Sequence, residues 1–114
     1  MDKKEGKLAH ESVQFSIKIL RFLAKADCLN FMKNQLGRSA TSIGANIHEA
    51  YYAESRADFL HKMKIALKEA GESDYWLKIM AGAFPHEADT ATMLRAECGR
   101  IRRMLIACIN TATQ

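Results

Sequence analysis

Glu69 and Glu72 stand three residues apart, on one face of any helix that holds them, and His48 and Glu49 add ligand-type groups in the preceding segment. Carboxylates and imidazoles gathered this way build dimetal helical bundles, but such sites carry Glu-x-x-His on two helices. The nearest approach here is one Asp58-Phe59-Leu60-His61. Read structurally, the same two carboxylates need a partner, because burying an unpaired one among apolar residues is costly. Either Arg38 or the small polar series Ser39, Ser42 and Asn46 would supply it. Other chemistries have no visible signature. There is no Gly-rich loop followed by Lys and Ser/Thr, no G-x-S-x-G elbow, and no His near Cys28 in sequence. Cys98 and Cys108 would lie about 15 Å apart on one helix, too far to bridge, so thiols buried in a reducing cytosol are expected. The sequence predicts no catalytic residue, no metal, no cofactor and no enzyme, with a carboxylate-metal enzyme as the weakest of three functional readings.

Cations form the other pattern. Lys18, Arg21 and Lys25 share one helix face, and Arg95 and Arg102 share another. Each strip is either an ordinary solvated face or a footprint for phosphates, and it would be repeated around any oligomer. The formal net charge is +4. Residues 1–48 carry eight Lys+Arg against four Asp+Glu, residues 49–90 five against eight, and residues 91–114 four against one. Positive charge therefore concentrates toward the two ends. No RNA-binding aromatic motif or zinc-finger spacing accompanies it, so sequence-specific readout is not indicated.

The elements that must position these groups are helical. Of the 114 residues, 48% are hydrophobic and 26% charged, with six Gly and one Pro, which disfavours an all-β fold. One domain over residues 1–114 is expected, an all-α, up-down-up-down antiparallel four-helix bundle with helices at about residues 8–26, 30–53, 56–82 and 89–111. No run is apolar enough to cross a membrane and no secretory leader is visible, so a soluble cytoplasmic protein is expected. In helix one, Phe15, Ile19 and Phe22 widen the apolar arc beyond what one bundle buries, which predicts self-association through those three residues. In helix two, Gly37 and Gly44 lie seven apart, where a bend or a close neighbouring backbone would explain them. Helix three opens on Ser55-x-x-Asp58, similar to a capping box.

The run Gln35-Leu36-Gly37-Arg38-Ser39-Ala40-Thr41-Ser42-Ile43-Gly44-Ala45-Asn46-Ile47-His48-Glu49-Ala50 resembles the signature of bacterial four-helix-bundle proteins, many of them encoded in intervening sequences of large-subunit ribosomal RNA genes. Phe59 and Ile65-Ala66-Leu67-Lys68-Glu69-Ala70-Gly71-Glu72-Ser73-Asp74-Tyr75-Trp76-Leu77 continue the match. The resemblance implies a left-handed four-helix bundle assembled as a ring-like homopentamer. It also implies distant kinship with the accessory variability proteins of diversity-generating retroelements, and through them a reverse-transcriptase partner. The family motif falls on Arg38, Ser39, Ser42, Asn46, Glu49, Glu69 and Glu72, in structural roles. Gly44 stands where many members have Pro and still allows the bend that Pro would impose, whereas Ala50 stands where many have Gly, which predicts a longer helix two. The expectation that emerges is a non-enzymatic homo-oligomer binding RNA or DNA with little sequence preference through Lys18, Arg21, Lys25, Arg95 and Arg102. The alternative is a protein-interaction scaffold that does not bind nucleic acid.

Overall fold

The computed structural model describes residues 3–114, with side chains from Gly6 onward. Four α-helices follow one another: α1 (Lys3–Lys25), α2 (Asn30–Ala50), α3 (Arg56–Ala83) and α4 (Ala88–Thr113), with a 3-10 turn over Pro85–Glu87. No strand occurs among the described residues. Cross-helix pairs give the directions. Ser12 meets Gly44 while Leu23 meets Gly37, so α1 and α2 are antiparallel. Glu11 with Arg100 and Lys18 with Glu97 make α1 and α4 antiparallel too. The long axis of 44 Å matches α3, whose 28 residues span about 42 Å at 1.5 Å per residue.

Each boundary has a local cause. Ser55 is extended and its side chain accepts from Asp58 N at 3.0 Å, which caps α3. The Asp58 carboxylate reaches back to the N–H of Glu54 at 3.4 Å, one residue before the partner an ideal capping box would use. α3 stops at Ala83 because Phe84 precedes Pro85, and a residue before proline is pushed out of the helical region. α3 thus runs one residue past the expected end and α4 starts one earlier, so the last connector is shorter than expected. The longer helix two is also corrected. α2 ends at Ala50, and Tyr51, Tyr52 and Ala53 each donate to the carbonyl three residues back, a tightened turn that leads into the extended Ser55 cap. α1 begins earlier than its apolar periodicity, since Lys and Glu extend a helix without needing a buried face.

The core is continuous along the bundle, with Ile19, Leu36, Ile43, Ile47, Met63, Leu77 and Leu105 fully buried. Phe15 and Ile19 belong to it, at 2% and 0% exposure, and Phe22 packs against it. This corrects Phe15 and Ile19 as an association face, since both fill the subunit's own interior, while Phe22 is half-buried at its edge. The surplus of α1 is carried by Val13, Ile17 and Leu20, exposed at 40%, 36% and 53%.

Two tight crossings set the spacing. A Cβ on Gly44 would sit 3.1 Å from Ser12 Oγ, and one on Gly37 would be 3.4 Å from Leu23 Cδ1. Both glycines thus face α1, and Ser12 is fully buried, its hydroxyl bonded to Ala9 O at 2.7 Å. Gly71 has nothing within 4 Å of an added Cβ. Gly71→Ala should therefore stabilise the protein by about 1 kcal/mol through helix propensity alone. Gly44→Ala should forfeit that gain by crowding Ser12. Urea unfolding of the two variants checks this, and equal midpoints would contradict it.

Candidate nucleic-acid interface

The family-motif residues line the seam between α2 and α3. Ser39 and Ser73 are fully buried and their hydroxyls meet at 2.9 Å. One hydroxyl donates to the other, which in turn donates to a carbonyl of its own helix, Leu36 O for Ser39 or Glu69 O for Ser73, so neither is left without a partner. Ser42 Oγ donates to Arg38 O at 2.6 Å and Asn46 Nδ2 to Ser42 O at 2.8 Å. These polar side chains satisfy their own helix and leave the carboxylates to others. Glu49 pairs with Lys62 at 3.3 Å.

The partner of Glu69 and Glu72 is Arg38. Its Nη2 donates to both oxygens of Glu72 at 2.8 Å, and its Nη1 lies 3.6 Å from Glu69 Oε2. Burial alone would raise the Glu72 carboxyl, but hydrogen bonds from Arg38 and Glu69 and the Arg38 charge outweigh it and hold the group below its ordinary range. Glu69 goes the other way. Burial and the shared hydrogen bond with Glu72 raise it, and Arg38 offsets only part of that. The Arg38 guanidinium is held more firmly protonated by the same contacts. Beside this cluster stand three aromatics: Phe31 at 56% and Tyr75 at 54% exposure flank Trp76, with edge contacts at 6.2 and 5.2 Å between ring centroids.

The expected cations fall on two separate sides of the bundle. Lys18 pairs with Glu97 across α1 and α4. Arg95 lies on the opposite side of α4, where its Nε holds Asp74 at 2.8 Å. Arg102 is half-buried, its Nε beneath the surface and without a hydrogen-bond partner among the described residues. Arg95 therefore faces α3, away from the α1 strip, and Arg102, seven residues on, shares its side of α4. Arg21 and Lys25 are exposed and form no ion pair among the described residues. They and Lys18 border a groove of about 400 Å³ between α1 and α4, with Phe22, Met93 and Glu97 in its walls. Sequence reasoning missed the Lys18–Glu97, Arg100–Glu11 and Arg95–Asp74 pairs, because partners on different helices have no fixed spacing along the chain.

Among the described residues, no group of three or more His, Cys, Asp and Glu is placed to hold a metal ion. None of the three cysteines is in a disulfide. Burial pushes the Cys98 thiol up to about 12, and it donates to Ala70 O. Burial also raises Cys28, which disfavours a reactive thiolate at either position. No described helix is long and apolar enough to cross a membrane.

The family model for the 23S rRNA-intervening sequence protein matches residues 4–107. The chain belongs to that family. The chain is also similar to a solved structure of a protein of unknown function from the S23 ribosomal protein family, from Bacteroides thetaiotaomicron VPI-5482. The two are 36% identical, with a TM-score of 0.87, covering 94% of this chain and 98% of the other. The comparison with curated proteins finds no match. In this chain the motif arginine and its two carboxylates form one electrostatic unit with opposed acid responses. The depressed Glu72 contributes stability at neutral pH that is lost as pH falls through its lowered folded value. The raised Glu69 costs stability at neutral pH, and that cost is relieved as pH falls through its raised folded value. Glu72→Gln should therefore lower the melting temperature at neutral pH and flatten the loss in stronger acid. Glu69→Gln should leave the neutral melting temperature unchanged or higher and abolish the gain on mild acidification. Melting curves across pH check both, and identical profiles would refute the assignment.

Proposed function

We propose that the chain is a non-enzymatic subunit of a homo-oligomer that binds RNA or DNA through backbone phosphates, with little sequence preference. The observation that carries this reading is the state of Arg21 and Lys25, two exposed cations on one face of α1 with no carboxylate partner among the described residues. Several other cross-helix cations are already neutralised, so these two are available to phosphate. Membership in a family named for ribosomal RNA intervening sequences agrees with it. Val13, Ile17 and Leu20 support self-association, because a strip of three exposed apolar side chains on one helix is best covered by another surface. Copies of α1 brought together would add their fields.

The logarithm of the affinity for a structured RNA should fall linearly with log salt, and replacing Arg21 and Lys25 together by Ala should make that slope shallower by about one for each phosphate they neutralise. Arg95→Ala should leave the slope alone, since Arg95 is committed to Asp74. An unchanged slope in the double variant, measured by filter binding, would remove α1 as the binding face. Leu20→Asp, at a site outside the core, should reduce the solution molar mass to that of one chain by light scattering. An oligomer indifferent to it would exclude this strip as the interface.

Exposed Phe31 and Tyr75 around the half-buried Trp76 favour a second reading, a scaffold for another protein. Under it, Tyr75→Ala would abolish partner capture while nucleic acid stays unbound by any variant.

A further inference from the structure

The groove between α1 and α4 has a chemistry that phosphate binding alone does not use. Its floor is apolar: Phe22 packs against the core, and Leu94 and Ala26 are buried beneath. Met93 stands in the wall at 62% exposure, a large apolar side chain left mostly in water. At the rim, Arg21 and Lys25 are four residues apart and so share a face. Glu97 offers one oxygen to Lys18, while its other oxygen lies below the surface with no donor among the described residues. A buried acceptor without a partner suits a ligand that carries N–H groups, which inorganic phosphate and fatty acids lack. The volume of about 400 Å³ is at the lower end of the range for small-ligand sites.

We infer that this groove receives one unpaired nucleotide of a single-stranded nucleic acid, its base against Phe22 and Met93 and its phosphate on Arg21 and Lys25. The inference rests on the nucleic-acid reading above and narrows it. A ring and a polarisable thioether provide surfaces on which any base can lie flat. Duplex bases are locked in their stack and cannot enter, so the groove favours unpaired strands even though duplex carries the denser charge.

The test is fluorescence anisotropy of the full chain with two probes at matched salt: labelled oligoadenylate, and the same strand annealed to oligouridylate. The single strand should bind about tenfold tighter, the size of one base stack. Met93→Ala, at a site off the core, should weaken single-strand binding about fivefold and leave duplex affinity and salt slope unchanged. Phe22→Leu, which keeps an apolar side chain toward the core but removes the flat ring, should act in the same direction. Equal or tighter duplex binding, or single-strand affinity indifferent to Met93→Ala, overturns the nucleotide groove and leaves salt-dependent phosphate binding standing. No binding of either probe at low salt removes both.

Discussion

The close approach of α2 to both its neighbours governs the rest of the molecule. On one side the missing side chain of Gly44 lets the buried Ser12 of α1 reach the helix backbone. On the other, the hydroxyls of Ser39 and Ser73 meet inside the core. Small residues at these crossings trade apolar volume for proximity, and proximity lets the larger side chains interlock along the remainder of the bundle. The register they impose puts Arg38 opposite Glu72. Through α1 it also puts Lys18 opposite Glu97 and Glu11 opposite Arg100.

Charge is distributed as a consequence of that register. Where helices meet over polar edges, cations and carboxylates on facing positions pair, and a paired cation offers little to a ligand. Arg95 on Asp74 and Arg100 on Glu11 are of this kind. On α1, Arg21 and Lys25 remain without an ion-pair partner among the described residues. The modest net charge of +4 understates the local field there, because a global sum averages neutralised pairs with unneutralised groups. The same looseness between α1 and α4 leaves room for a groove rather than a packed seam.

Much of the bundle is legible in the residues. Four amphipathic repeats, Ser55 as a cap and the scarcity of Gly and Pro suffice for four helices, and the run from Gln35 to Ala50 carries the family. Arg38 is one of two options as the partner of Glu69 and Glu72, and the geometry chooses it over the Ser and Asn side chains, which bond to their own backbone. The end of α2 is not legible, because Ala50 is a good helix former while the turn is imposed by the tight Tyr51–Ala53 hydrogen bonds and the cap that follows. The burial of Phe15 and Ile19 escapes a sequence reading for a related reason. Periodicity reports how wide an apolar arc is, and only packing shows which part of it faces the interior.

The sequence by itself determined the helices, their approximate limits and the motif that places the chain in its family, since these depend on local propensity and on spacing within one segment. Tertiary structure decided which apolar residues of α1 are surplus, which cations are spoken for and where a groove lies. Those outcomes depend on the rotation of each helix about its axis and on the register between helices. Both are fixed by contacts between residues dozens of positions apart, such as Ser12 with Gly44 and Lys18 with Glu97.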